Sequence, residues 1–322
     1  MPWEIIGTIA TAFGVKIAGD IMFEGVRPHI KKVFEERGIS LISRIVRRSH
    51  SQKYLSLSST DLISFYQKEE ALSETLGEEV YQLPITLVIP PSVDGPITKE
   101  KIQYKLFRNH YEMRKEIAPY TAPVIANLNK QKKYFDGSVV SLRDMEIQDN
   151  SILLKFAPAS YFQGLATNYS MDHRPRNCST TLRERVHGTS RNLCNFKDSY
   201  LANHIGVGCM LETIDGYIVA SRRSKRVSIW PKSLAISINA VLKYDDIYKN
   251  IEGSETEQGD LGDLAKCAFR EGLEELGIRP QNLLFLGLVR DFLRGGKPDF
   301  YFYGRSNLTF NEMKKSPKNK RS

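Results

Sequence analysis

The chain has 322 residues and a formal net charge of +9, with 41% hydrophobic and 26% charged residues. These proportions suit a soluble globular protein with a sizeable core, organised as two domains or as one domain with a long extension. Its 4 cysteines form no C-x-x-C pair, and so few in so long a chain do not make a disulfide scaffold, which points to reduced thiols in a cytoplasmic setting.

Residues 5–15, IIGTIATAFGV, form an apolar run bounded by Glu4 and Lys16. A spanning helix needs about 20 apolar residues, so this run is too short. Ile5, Ile9, Phe13, Ile17 and Ile21 recur every fourth residue and predict a helix with one apolar stripe. Such a stripe packs on the protein's own domain or on a second copy, and it also allows peripheral contact with a membrane.

Residues 1 to about 80 read as helical, including a helix over Thr60–Leu76. LPITLVIPP, residues 83–91, predicts a strand that stops at proline. Residues 99–131 read as mostly helical, with breaks at Pro119 and Pro123. Residues 139–147 and 151–157 suit two strands joined by a turn at Gln148, Asp149 and Asn150. A basic, loop-rich stretch follows from Met171 to Lys197. It contains His173, Cys178, His187 and Cys194, whose spacings match no zinc pattern.

The last third alternates regularly. Strands are predicted at 204–213 and 217–223, with a hairpin turn at Asp215-Gly216, and again at 234–242. An acidic loop from Asp245 to Gly262 leads into a helix over Leu261–Leu276, which Gly277 stops. Two strands, at 282–292 and 299–306, end the pattern. Strands on both sides of one long helix predict a mixed α/β (α+β) protein. The predicted divisions are a helical region at 1–80, an accessory layer at 81–200, a domain at 201–310 and a basic tail at 311–322. Much of the charge lies in Lys314, Lys315, Lys318, Lys320 and Arg321, and in Arg44, Arg47 and Arg48. No nucleic-acid-binding signature accompanies it, so nucleic acid is not the expected partner.

The helix carries the chemistry. At about 100° per residue, Leu261, Leu264, Ala265, Ala268, Gly272, Leu273 and Leu276 cluster as a buried stripe. Glu271, Glu274 and Glu275 share a neighbouring arc and repel one another unless a cation sits on them. Hard divalent cations bind such oxygens, and Mg²⁺ commonly bridges one or two carboxylates to substrate phosphates. Arg270 can hold one glutamate through paired hydrogen bonds.

The segment REGLEELGI, Arg270–Ile278, resembles the second half of the Nudix box. Arg270, Glu271, Glu274, Glu275, Gly277 and Ile278 match, while Gly272 stands where an aliphatic residue is usual. In the first half, Thr256 and Gly262 occupy the positions of the family's glycine and glutamate; Gly259, Asp260 and Asp263 lie close to them. The strand pair 204–223, the segment 288–302 and the region 135–169 extend the likeness, with lower specificity, over roughly residues 135–310.

The resemblance implies a Nudix-like β-α-β sandwich behind a mainly helical N-terminal region. It implies Mg²⁺ or Mn²⁺ on Glu271, Glu274 and Glu275, with Glu271, Glu274 and Arg270 in catalytic roles. Arg222 and Arg223, at a strand end, could meet substrate phosphates. The expected substrate is a small nucleotide-type molecule, a nucleoside diphosphate linked to another group. Two other readings stay open: a degenerate module that binds a nucleotide without cutting it, and an interaction protein whose N-terminal helices reach a membrane or form homo-oligomers.

Overall fold

The computed structural model describes residues 57–76, 79–90, 101–131, 135–148, 151–222, 234–248 and 258–315. The expectations for the apolar helix near residues 5–21, for Arg44, Arg47 and Arg48, for Asp149 and Asn150, for Arg223 and for residues 316–322 lie outside them.

Helix α1 covers Ser59–Phe65. Ser58 caps it: its hydroxyl accepts from Asp61 N at 2.9 Å, and Asp61 returns the favour to Ser58 N at 2.6 Å. The helix does not continue to Leu76, as its pattern predicts. The chain turns at Tyr66, whose buried hydroxyl lies 2.9 Å from His187 Nδ1. It then forms strand β1 (Ser73–Leu76), antiparallel to β2 (Glu79–Gln82). A long-range anchor here outweighs local periodicity.

Strand β3 (Ile85–Ile89) matches its prediction. The stretch 99–131 is not uniformly helical: it opens with β4 (Ile102–Leu106), whose Ile102, Tyr104 and Leu106 alternate inward. Helix α2 (Ala118–Lys130) follows, with Pro119 in its first turn and Pro123 inside it. The next strands are β5 (Ser138–Gln148) and β6 (Ser151–Ser160), with short helices α3 (Tyr161–Ala166) and α4 (Leu182–His187) after them.

Then come β7 (Gly206–Glu212), β8 (Ile218–Arg222), β9 (Leu234–Ile236) and β10 (Ile238–Val241). Helix α5 (Tyr244–Ile247) and β11 (Gln258–Asp260) precede the acidic helix α6 (Leu261–Glu271). Strands β12 (Gln281–Asp291) and β13 (Lys297–Arg305) and helix α7 (Phe310–Lys315) complete the described chain.

The protein is therefore of the α+β class, with two larger mixed sheets. One has the order β3-β12-β13-β7-β8-β9, with β10 also on β7; the other has the order β11-β4-β6-β5. The strand pairs β13–β7 and β4–β6 are parallel, and the remaining neighbours are antiparallel. Backbone bonds join the sheets: Val140 N donates to Leu242 O, and Leu142 N to Asn203 O, both at 3.0 Å. One core fills the space between them. Tyr104, Leu142 and Phe156 come from one sheet, Val207, Cys209 and Phe302 from the other, and Leu264, Cys267 and Ala268 from α6. Among the described residues no helix is long and apolar enough to cross a membrane.

A second knot of buried polar groups ties α1, α4 and the β12–β13 turn together. Arg183 is fully buried and grips Asp172 with Nε at 2.7 Å and Nη2 at 3.0 Å. Its remaining N–H groups donate to Tyr66 Oη at 2.8 Å, Phe292 O at 2.5 Å and Leu293 O at 2.7 Å. All parts of the guanidinium are thereby satisfied by groups distant in sequence.

Burial also sets three histidines. It pushes His173 down to about 4, and His187 and His204 down to about 3. In an unfolded chain histidine titrates near 6.5, so the native values are depressed. The unfolded state then takes up protons that the native state refuses. Stability is full above about pH 6.5 and falls as pH drops toward 4, by up to about 1.4 kcal/mol per pH unit for each histidine. Melting temperature by circular dichroism should fall from pH 7.5 to pH 5; a flat profile would count against neutral native histidines.

Candidate active site

Helix α6 begins at Asp260, whose Oδ1 accepts from Gly262 N at 2.6 Å. Asp263 sits in the same first turn and accepts from Tyr104 Oη at 2.7 Å. Asp260 is thus a cap, not a fourth member of the glutamate arc. Eleven residues at about 1.5 Å rise place it roughly 17 Å along the axis from Glu271. These two aspartates fasten the start of α6 to β4.

The far end departs from an ideal helix. After Glu271 the chain makes a π turn over Gly272–Leu276, and the Gly277 N–H reaches the carbonyls of both Gly272 and Leu273. A π turn rotates less per residue than the about 100° of an α-helix. The arc expected for the three glutamates overlaps the stripe at one edge: continued α phase would carry Glu275 between Leu264 and Ala268. The wider turn keeps Glu275 outside and leaves Leu276 packed on the core. Leu273, expected in the buried stripe, is instead 47% exposed.

Gly272 explains how the turn closes. Ile278 N donates back to Gly272 O at 3.1 Å. A Cβ on Gly272 would stand 2.7 Å from Ile278 O and 3.0 Å from both Ile238 Cδ1 and Pro280 Cδ. An aliphatic side chain has no room here without a shift of the backbone. Gly277, at φ 70°, then stops the helix in the left-handed region. Gly272→Leu should cost about 1–3 kcal/mol by overpacking. Urea denaturation checks this, and an unchanged midpoint would show that the backbone has slack.

Arg270 organises the carboxylates. Its Nε and Nη2 clasp Asp246 of α5 at 2.6 and 2.8 Å, and its Nη1 hydrogen-bonds Glu271 and lies 3.5 Å from Glu274. Burial opposes the Arg270 charge, but the bonds to Asp246 and Glu271 outweigh it and hold the guanidinium above its ordinary range. Lys243, just before α5, reaches the same pair: its Nζ lies 3.4 Å from Glu271 and 3.9 Å from Glu274. Glu271 is the better sheltered, with a side chain 13% exposed against 28% for Glu274.

Glu271 and Glu274 thus turn carboxylates toward shared positive charge, while Glu275 stays exposed. This pair fits two protein ligands of Mg²⁺ or Mn²⁺, in the coordination style where phosphates and waters supply the rest. Among the described residues, no group of three or more His, Cys, Asp or Glu is placed to hold a metal ion. That holds for the three glutamates together and for His173, Cys178, His187 and Cys194. Arg222 ends β8, with only its backbone described, and Arg223 lies outside the described residues.

Asp291 and Asp299 do not join the glutamates either. They lie at the β12–β13 turn with cations of their own: Asp291 is 3.4 Å from Arg294, and Asp299 pairs with Lys297. Sequence reasoning missed Asp246 and Lys243. The acidic and basic residues of K-Y-D-D were visible, but nothing local shows that they fold against a helix 24 residues on.

No family model and no curated protein matches this chain. Among solved structures it is similar to the crystal structure of DR0079 from Deinococcus radiodurans, with 20% identity and a TM-score of 0.24. The match covers 33% of this chain and 57% of that one, so the chain spans just over half of that protein's length. A likeness of that degree carries no argument about fold or activity.

Proposed function

We propose that this protein is a Nudix-type hydrolase with a Nudix-like sandwich around α6, cleaving a diphosphate bond in a nucleoside diphosphate linked to another group. One observation carries the reading: Arg270 and Lys243 gather Glu271 and Glu274 on one side of α6, where two carboxylates can serve a single divalent cation. Glu271 and Glu274 would hold Mg²⁺ or Mn²⁺, and the metal would supply charge neutralisation of the phosphates. Arg270, locked to Asp246, fixes the direction of both carboxylates. A glutamate oxygen left over takes the proton from the attacking water. Water's oxygen bonds to one phosphorus, the bridging P–O bond breaks, and a phosphorylated fragment leaves. On the same resemblance, Arg222 and Arg223 would meet the phosphates.

A second reading rests on its own observation. Gly262 occupies the position of the family's first glutamate, and Glu275 is more exposed than Glu271 and Glu274. Both features favour a module that binds a nucleotide without cutting it. A panel of nucleotide sugars, dinucleotides and nucleoside triphosphates, assayed with Mg²⁺ or Mn²⁺ by phosphatase-coupled phosphate release, separates the readings. Turnover of one class is the expected result. Calorimetric binding of the same compounds without turnover would leave the binding module, and neither binding nor turnover would sink both.

A further inference from the structure

We infer that Lys243 is an exchangeable internal cation: it holds Glu271 and Glu274 together until a divalent metal takes that position, then turns its ammonium to the substrate's phosphates. This rests on the metal-dependent reading above.

Among the described residues, Arg270 and Lys243 both reach Glu271 and Glu274, and they are held very differently. Arg270 is pinned by paired bonds of 2.6 and 2.8 Å to Asp246, so it cannot leave without abandoning a second carboxylate. Lys243 makes no bond that short. Its ammonium stands 3.4 and 3.9 Å from the two carboxylates, beyond the about 2.7–2.9 Å of a tight charged hydrogen bond. Its side chain is 47% exposed, and its four methylenes can swing.

The backbone of Lys243, in contrast, is fixed. Its N–H donates to Asp246 Oδ2 at 2.9 Å, and the residue forms a bridge with Val139. The lysine is a firmly rooted arm with a loosely held tip. A divalent cation between the same carboxylates would repel both cations, and the loosely held ammonium would yield where the guanidinium pinned to Asp246 would not. The displaced ammonium, on its rooted arm, would remain close enough to meet the phosphates of a substrate bound at that cation. Arg270 stays behind to orient the glutamates.

The test uses the full chain and Mn²⁺ alone, with free Mn²⁺ read by electron paramagnetic resonance. Lys243→Gln should tighten Mn²⁺ binding about five-fold, because the competing charge is gone, and Lys243→Arg should leave it within about two-fold. Binding of inorganic pyrophosphate to the Mn²⁺-saturated protein, read by calorimetry, should weaken about ten-fold in Lys243→Gln. Equal or weaker Mn²⁺ binding by Lys243→Gln, beside a wild type that binds Mn²⁺, would overturn the exchange and leave the hydrolase reading standing. Unchanged pyrophosphate binding would overturn the phosphate role. Absence of Mn²⁺ binding in both proteins would instead remove the metal-dependent reading itself.

Discussion

Glu274→Gln and Glu271→Gln are each expected to lower metal-dependent diphosphate turnover by about 10²- to 10⁴-fold, the range for losing a positioned acid–base or metal-holding group. The substitution keeps the shape of each side chain and removes its charge. Glu274 is partly exposed and Glu271 is met by Arg270 and Lys243, so neither amide leaves a cavity. Loss of activity with an unchanged melting temperature would therefore report on chemistry rather than on folding. Glu275→Gln should cost far less, since Glu275 is exposed within the π turn, whereas Arg270 and Lys243 gather Glu271 and Glu274. Equal losses at all three positions would mean that the working site draws Glu275 inward. Initial rates with the substrate class found by the screen decide between the two.

Asp172→Ala is expected to destabilise the protein by about 3–5 kcal/mol, because it strands Arg183 as a buried, unpaired charge. Arg183 has a side chain 1% exposed, and Asp172 accepts two of its hydrogen bonds. The remaining partners, Tyr66 Oη and the carbonyls of Phe292 and Leu293, are neutral and cannot replace a carboxylate. The loss should spread to α1, which Arg183 ties to the β12–β13 turn through Tyr66. Denaturant titration measures the cost. A change below about 1 kcal/mol would show that water reaches Arg183.

Where sequence and structure agree, the pattern was local. The paired strands β5 and β6 announce themselves through apolar residues on either side of a turn signal. Helix α6 declares most of its stripe and its Gly277 stop, while the Asp260 cap appears only in the structure. The reach of Arg270 to a neighbouring glutamate was legible from helical spacing, although its paired bonds go to Asp246 instead. The α+β class followed from strands flanking that helix.

The misses have one cause: contacts between distant segments. The alternation of Ile102, Tyr104 and Leu106 was present in the sequence, but short alternation loses to a helical reading until β6 and β11 are there to pair with it. The helix predicted to Leu76 ends at Tyr66 because Arg183 and His187 anchor that ring. Parallel pairing of β13 with β7 joins segments about 90 residues apart, which no local period encodes. In the site itself, Gly272 looked like a mild departure from a motif. Only the return of Ile278 over it shows why a side chain has no room there. The π turn and the clasp of Asp246 on Arg270 belong to the same class of fact, invisible until the chain folds back on itself.

The central claim is that Glu271 at the end of α6 and Glu274 in the π turn after it bring a divalent cation to a diphosphate. Its most direct test is the rate of phosphate release from a nucleoside diphosphate sugar by the full chain, measured with Mg²⁺, with Mn²⁺ and with excess chelator. The account predicts turnover that needs the metal and is lost in Glu274→Gln. Turnover that persists in chelator, or that survives Glu271→Gln and Glu274→Gln together, would contradict it.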